Sequence, residues 1–138
     1  MKIMFDTNII LDVLLNRTPY ADTAIDLFSA AEDKIIQGYL CATTITTIDY
    51  LITRVNDKHF SKKALISLLK IFKIAEVNQN IVQQAIQSNF SDFEDAVLYY
   101  SGYYTGIQGI VTRNVKDFKT SELIIFSPIE LLDIIQKP

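Results

Sequence analysis

Short runs of consecutive apolar residues alternate along the chain with longer segments in which apolar residues recur every three or four positions. An unbroken short run is typical of a buried strand, whereas the wider spacing places apolar side chains on one face of a helix. The pattern predicts four or five short strands separated by helices. The predicted strands are residues 2–5, 39–42, 74–77, 109–111 and 123–126.

Residues with known preferences for helix ends predict where several of these helices begin. Proline suits the first turn of a helix, and serine or threonine caps it through a side-chain oxygen. Ser91 and Glu94 also have the three-residue separation of a capping box. The predicted starts are Pro19, Thr43 or Thr44, Ser61, Ser91 and Pro128.

The order of these elements predicts the fold class. The strands are apolar without alternation and are separated by helices, which is the pattern of a parallel sheet covered by helices on both faces. The chain shows no internal repeat, linker or low-complexity stretch. We therefore expect one α/β domain over residues 1–138.

Composition narrows the chemistry. The 138 residues are 49% hydrophobic and 21% charged, with four glycines and three prolines, so we do not expect a mainly disordered chain. Cys41 and His59 are the only cysteine and histidine. These counts exclude an intramolecular disulfide and any site built from two imidazoles.

Net charge and hydropathy bear on partners and location. The formal charge is −3, whereas a protein that binds nucleic acid only by neutralising phosphates is usually basic. An enzyme of this charge that acts on nucleic acid would need another source of positive charge at the phosphates, which a divalent cation could provide. No apolar stretch reaches the roughly 18 residues that span a membrane, and an acidic residue interrupts the N-terminal segment early. We expect a soluble, cytoplasmic protein.

Three aspartates occupy one kind of structural position. Asp6 ends the first strand, Asp117 follows the strand at 109–111 after a few residues, and Asp95 lies in the first turn of a helix. Residues just past the carboxyl ends of parallel strands meet in a crevice at that edge of the sheet. Carboxylates brought together repel unless a cation neutralises them, and Mg²⁺ or Mn²⁺ suits such oxygens. Taken singly, each aspartate could equally be a helix cap or a turn former.

Other charged residues have two possible roles. Asp92 and Glu94 could act only on the helix dipole, and Asp12 could be a solvated helix position. Residues 54–73 contain six basic side chains against one acidic side chain, which favours either a solvated helix face or a surface that follows phosphates. Three further basic residues follow the strand at 109–111 and would lie beside the acidic crevice: Arg113, Lys116 and Lys119.

Three motifs together resemble those of PIN domains, especially bacterial proteins of the VapC toxin type. They are FDTNIILD at 5–12, FEDA at 93–96 and IVTRNVKDF at 110–118. The resemblance implies a metal-dependent ribonuclease that is the toxin of a type II toxin–antitoxin pair. It also implies Mg²⁺ or Mn²⁺ as cofactor, a cognate antitoxin partner and a homodimer. Because sequence-specific recognition of RNA usually targets loops or single strands, we expect single-stranded RNA as the substrate.

The resemblance also assigns roles to individual positions. Asp6, Asp95 and Asp117 match the family's metal-binding carboxylates, and Asn8 and Thr112 match the polar residues beside them. The family usually has a glutamate near the start of the helix after the second strand. The only acid in that part of this chain is Asp49, whose side chain is one methylene shorter.

The departure at Asp49 leaves a second hypothesis open. The chain could be a PIN-fold protein that binds RNA or another protein without turnover, or Asp92 or Glu94 could replace the missing glutamate. A phosphatase of the haloacid dehalogenase type fits less well. That chemistry needs a second aspartate two residues after the first, where this chain has Asn8.

Overall fold

The computed structural model describes residues 1–118 and 122–137. Five strands, seven α-helices and one short 3-10 helix at Val115–Phe118 occupy these ranges. The strands are β1 (Lys2–Phe5), β2 (Gln37–Cys41), β3 (Lys73–Ala75), β4 (Gly109–Val111) and β5 (Ile124–Phe126). The helices are α1 (Thr7–Leu14), α2 (Ala21–Glu32), α3 (Ala42–Val55), α4 (Lys58–Ile71), α5 (Gln79–Gln87), α6 (Phe93–Thr105) and α7 (Pro128–Gln136).

The strands form one parallel sheet with the order β3-β2-β1-β4-β5. The chain starts at the central strand β1, builds outward to β2 and β3, and then returns to the other side of β1 through β4 and β5. The strand order therefore reverses between β1 and β4, which is where open parallel sheets bind ligands at the carboxyl edge. The predicted parallel sheet is confirmed.

Apolar side chains cover both faces of the sheet. On one face Ile3 and Phe5 pack with apolar residues of α1, α2, α3, α4 and α7, and on the other Met4 packs with those of α5 and α6. Successive residues of β1 thus belong to different cores, as the alternation of side chains along a strand requires. This arrangement explains why the strands read as unbroken apolar runs.

Two glycines let aromatic rings lie directly against the sheet. A Cβ atom on Gly38 would come within 2.6 Å of the Phe72 ring, and one on Gly109 within 2.6 Å of the Phe126 ring. Gly109 is also hemmed in by the backbone oxygen of Ile124 at 3.0 Å. These positions therefore exclude any larger side chain without movement of the neighbouring ring or strand.

Several predicted helix starts are wrong by one to four residues. Helix α6 begins at Phe93 because the carboxylate of Asp92, and not the hydroxyl of Ser91, accepts the hydrogen bond from the Asp95 amide. Helix α4 begins at Lys58, where the Asp57 carboxylate caps the Phe60 amide at 2.8 Å. In both cases an aspartate close to the predicted serine supplies the capping oxygen.

The remaining starts differ in outcome. Helix α3 begins at Ala42, so Thr43 and Thr44 lie inside its first turn and do not cap it. Pro19 precedes α2, which begins at Ala21. Pro128 does open α7, as predicted, and is preceded by a capping box between Ser127 and Glu130 that the sequence reasoning missed.

We predict that Gly109→Ala lowers the free energy of unfolding by about 1–3 kcal/mol, because the added methyl group overpacks the β4–β5 layer. Gly102→Ala is the matched control. A Cβ there meets its nearest neighbour at 3.5 Å, an ordinary contact, and the change removes a glycine from the interior of α6. The control should stabilise the protein by about 0.5–1 kcal/mol. Urea unfolding of both variants measures the difference, and equal effects would contradict this account.

Candidate active site

Asp6 lies at the point where the strand order reverses. It follows β1 directly, caps the N-terminus of α1, and is only 6% exposed. Its Oδ1 accepts a hydrogen bond from the Thr7 amide at 2.7 Å, and its Oδ2 accepts one from the Thr112 hydroxyl at 2.7 Å. Because two donors hold it in a buried position, this carboxylate has a fixed orientation at the carboxyl edge of the sheet.

Thr112 and Asn8 are the polar neighbours of Asp6. Thr112 is fully buried directly after β4, and its hydroxyl also accepts a hydrogen bond from the Asn114 amide at 2.9 Å. Asn8 donates to Asp6 Oδ2 at 3.4 Å and accepts from the Arg113 amide at 3.4 Å. The structure therefore brings together these three residues, which the sequence analysis had placed at one site.

Asp95 faces the same cleft from the first turn of α6. Together with Asp6 it lines a cavity of about 230 Å³ that opens to solvent at the carboxyl edge of the sheet. The other lining residues are Thr7, Asn8, Leu11, Arg17, Thr47, Asp92, Glu94 and Asn114. We call this cavity the acidic cleft.

Burial and mutual repulsion raise the pKa values of the central carboxyls. Burial, together with the negative charges of Asp6, Asp92, Asp117 and Glu94, raises the pKa of Asp95 to about 7. The pKa of Asp6 is also raised by burial, although the hydrogen bonds from Thr112 and Thr7 oppose the increase. A cleft with such carboxyls favours any ligand that brings positive charge.

Asp117 joins this electrostatic group from a different element. It lies exposed on the 3-10 helix after β4, where its amide donates to the Asn114 carbonyl at 2.9 Å. Its negative charge raises the pKa of both Asp6 and Asp95. The charge of Asp117 therefore acts on the other two predicted aspartates at the same edge of the sheet.

Asp49 is not brought to the acidic cleft. It is exposed on α3, and its Oδ1 accepts a hydrogen bond from the Ser61 hydroxyl of α4 at 2.7 Å. It lines a separate groove between α3 and α4 with Tyr50 and Arg54. Asp49 thus links α3 to α4 on a surface that is separate from the acidic cleft and does not include Asp6.

Thr47 is the residue of α3 that faces the cleft. It lies two residues before Asp49, which is a rotation of about 200° around a helix. Its hydroxyl donates to Glu94 Oε1 at 3.1 Å, so the acidic side chain on this side of the cleft comes from α6. Thr44, one turn earlier, contacts the Thr7 hydroxyl at 3.1 Å. The three-residue separation of Thr44 and Thr47 was the available signal for this face.

Asp12 is buried, contrary to its reading as a solvated helix position. Its side chain is 1% exposed and accepts two hydrogen bonds from Arg113, from Nε at 2.8 Å and from Nη2 at 3.2 Å. The Arg113 guanidinium also lies over the Tyr20 ring, with its carbon 3.9 Å from the ring centroid. This pair joins α1 to the loop that carries Thr112.

The basic run at 54–73 is divided between two surfaces. Arg54, Lys58 and Lys62 line the groove that contains Asp49, whereas Lys70 and Lys73 line a cavity at the amino edge of the sheet. Lys116 is exposed on the 3-10 helix, and Lys119 lies outside the described residues. The run therefore does not form one continuous basic face.

The sequence profile of the PIN domain matches residues 2–116. The chain belongs to the PIN domain family. No curated protein matches the sequence.

Solved structures of toxin–antitoxin proteins share this PIN fold. VapBC2 from Rickettsia felis, bound to a DNA fragment from its promoter, aligns with a TM-score of 0.70 and 14% identity, covering 92% of this chain and 98% of that chain. VapC20 from Mycobacterium tuberculosis, a sarcin–ricin loop cleaving toxin, gives 0.69 and 16%, covering 88% and 96%. VapBC-1 from nontypeable Haemophilus influenzae gives 0.70 and 15%, covering 94% and 99%. At these identities the likeness establishes the fold.

The donors of the PIN domain's cleft suit a hard divalent cation. They are carboxylate, amide and hydroxyl oxygens, with no thiolate or imidazole among the lining residues. Within residues 1–118 and 122–137, no three Asp, Glu, Cys or His side chains are already arranged around a common metal position. No helix in the same ranges is long and apolar enough to cross a membrane.

We predict that the PIN domain without divalent cations becomes less stable as the pH rises from 5 to 8. The folded-state pKa of Asp95 is about 7, above its ordinary value of 3.8, and that of Asp6 is also raised. These groups therefore stabilise the fold fully below about pH 4, and that contribution is lost as the pH rises through about 7. Thermal unfolding in EDTA should show a falling Tm, and Mg²⁺ should reverse part of the loss at pH 8.

One variant tests whether Asp95 causes this pH dependence, and a second variant is the control. Asp95→Asn removes the group and should flatten the decline of Tm with pH, whereas Asp49→Asn, on a separate groove, should leave the decline unchanged. The same slope in Asp95→Asn and wild type would contradict the assignment.

We also predict that Asp12→Ala lowers the free energy of unfolding by about 1.5–3 kcal/mol, because it removes the charge-assisted hydrogen bonds between a buried carboxylate and the partly exposed Arg113 guanidinium. Chemical denaturation measures the loss, and Asp26→Ala serves as a control for removal of an exposed carboxylate, on α2. The double variant Asp12→Ala/Arg113→Ala should be less destabilised than the sum of the two single changes. Additive effects would show that the pair does not act as a unit.

Proposed function

We propose that the chain is a metal-dependent endoribonuclease that cleaves single-stranded RNA and is the toxin of a type II toxin–antitoxin pair. The observation that carries the proposal is the convergence of Asp6, Asp95 and Asp117 at the edge of the sheet where the strand order reverses. Each comes from a different element, and burial together with the charge of Asp117 raises the pKa of both Asp6 and Asp95. Such a group of carboxylates is well suited to bind Mg²⁺ or Mn²⁺.

Asp6, Asp95 and Asp117 would hold the cation. When bound, Mg²⁺ or Mn²⁺ supplies neutralisation of the scissile phosphodiester and activation of the attacking water. Thr112 and Asn8 keep the Asp6 carboxylate in one orientation through their hydrogen bonds to Oδ2. The carboxyl of Asp95 holds a proton below about pH 7 and must release it before both its oxygens can bind a cation.

Glu94 provides the fourth acidic side chain in this proposal. Its carboxylate accepts the hydrogen bond from Thr47 and so lies where the α3 side of the cleft would otherwise lack a charge. Asp49, which the family resemblance placed in the catalytic set, is bonded to Ser61 on a different surface. We therefore assign Asp49 to the α3–α4 contact and Glu94 to the cleft.

The relatives support the choice of substrate and partner. VapC20 is described as a sarcin–ricin loop cleaving toxin, and the VapBC structures contain a toxin with its antitoxin. A loop of RNA is single-stranded, and a cleft at the sheet edge is accessible to such a strand. By the same resemblance we propose a cytoplasmic homodimer that a cognate antitoxin holds inactive.

One observation favours a second function. Helix α3 presents the Thr47 hydroxyl to the cleft and no carboxylate, which would weaken metal binding if Glu94 does not take its place. In that case the chain would bind RNA or a partner protein without cleaving it.

We predict that the purified, antitoxin-free protein cleaves a labelled pool of single-stranded RNA with Mg²⁺ or Mn²⁺ and that EDTA abolishes the reaction. Asp6→Asn, Asp95→Asn and Asp117→Asn should each lower the rate by roughly 100-fold or more, because each removes a charge that the cation needs. Asp49→Asn should retain activity within about threefold, an exposed carboxylate outside the cleft being dispensable. Gel analysis of the products measures all four.

The opposite results have definite meanings. Cleavage that survives EDTA would reject the metal-dependent reaction. RNA binding without cleavage by a folded wild-type protein would favour the second function.

A further inference from the structure

Arg17 is the one basic residue among the described side chains that line the acidic cleft. Its backbone is held at the reversal between α1 and α2, where Asn16 adopts a left-handed φ of 49°. The Arg17 amide donates to the Asp12 carbonyl at 3.0 Å, and its carbonyl accepts from the Ala21 amide at 2.8 Å. The position of Arg17 at the mouth of the cleft is therefore set by main-chain bonds.

The side chain of Arg17 keeps its hydrogen-bonding capacity. Its Nη1 lies 3.7 Å from Asp12 Oδ1, which is an ion-pair distance but too long for a hydrogen bond. Both oxygens of Asp12 already accept from Arg113. The Arg17 side chain is 39% exposed, and Asp12 is its ion-pair partner among the described residues. The carboxylates of the cleft therefore do not occupy its donors.

The cleft itself presents an electrostatic difficulty to an RNA strand. Its carboxylates repel phosphodiester groups, and a cation bound among them would act mainly at the scissile group. A guanidinium at the rim offers a planar set of donors that matches two phosphate oxygens. The buried Asp12 restrains this guanidinium near the cleft without using its hydrogen bonds.

From this geometry we infer that Arg17 is a phosphate-binding residue, which contacts the non-bridging oxygens of a phosphodiester in the strand that enters the acidic cleft. The inference rests on the proposed function for the identity of the strand, single-stranded RNA. Arg17 binds the strand through this contact, and Asp12 acts as a positioning residue for it.

The test measures RNA affinity separately from cleavage. The probe is a fluorescently labelled single-stranded RNA of mixed sequence, and the background is Asp6→Asn with Mg²⁺ present, so that the RNA stays intact. Adding Arg17→Ala should weaken binding roughly 10–100-fold, as expected for charge-assisted hydrogen bonds. Adding Arg17→Lys should restore part of the affinity, because lysine keeps the charge but loses the planar pair of donors.

Lys70→Ala is the matched control. Lys70 is a basic residue at the amino edge of the sheet, opposite the cleft, so its removal gives the same change in net charge. It should change the affinity by less than about twofold, in line with other changes at surfaces that make no specific contact. The salt dependence separates the two further: Arg17→Ala should reduce the slope of log affinity against log salt by about 0.7, the value for one phosphate contact to a single strand, and the control should not.

Each remaining outcome overturns the inference or supports it. Unchanged RNA affinity in Arg17→Ala, or an equal loss in Lys70→Ala, would overturn it. Tighter Mn²⁺ binding by Arg17→Ala in calorimetry, with unchanged RNA affinity, would show that Arg17 is only a counter-ion of the carboxylates. If Arg17→Ala fails to fold, Arg17→Lys and Arg17→Gln decide the result.

The wild-type cleavage assay distinguishes this inference from the proposed function. A wild type that does not cleave, together with an Arg17-dependent RNA affinity, rejects the nuclease but keeps the phosphate site. Cleavage by the wild type with no effect of Arg17→Ala on affinity or KM rejects the phosphate site alone.

Discussion

The ion pair between the buried Asp12 and the partly buried Arg113 is the constraint on which the geometry of the cleft depends. It joins α1 to the loop after β4 across 101 residues of sequence. The neighbouring residue, Thr112, must lie against Asp6 for its hydroxyl to donate to Oδ2. Since a buried carboxylate needs close, well-directed bonds from its partner, the pair tolerates little displacement of either element. The loop is thereby held in register with the end of β1.

The close carboxylates of the acidic cleft destabilise the folded state, and the rest of the fold compensates for this cost. Burial and repulsion raise the pKa values of Asp6 and Asp95, so their ionised forms oppose folding. Two apolar cores on opposite faces of the sheet provide the compensating stability. Hydrogen bonds from Thr7 and Thr112 reduce the penalty at Asp6 in particular. The electrostatic cost at the sheet edge is also what gives the site its preference for positively charged ligands.

Sequence patterns predicted the fold better than the details of the site. Apolar runs located all five strands because helices cover both faces of the parallel sheet and bury both sides of its central strands. The positions of the three central aspartates followed from strand and helix ends. Asp49 was expected at the cleft because it is the only acidic residue in its segment. That criterion ignores which face of α3 points toward the cleft. Asp12 was missed although Ile9, Ile10 and Leu11 beside it are all buried, a setting in which a carboxylate requires a partner. Its partner, Arg113, is 101 residues away in the sequence, so no local sequence pattern could identify it.

The two halves of the cleft come from distant parts of the chain, and this has a consequence for its biosynthesis. Asp6 is synthesised well before its partner, because the hydroxyl that orients it belongs to a residue 106 positions later. Strand β1 also lacks one of its two neighbours until β4 has been made and has paired with it. Pairing over such separations is slow compared with local helix formation. A nascent chain therefore cannot assemble the cleft before residues 109–117 have left the exit tunnel.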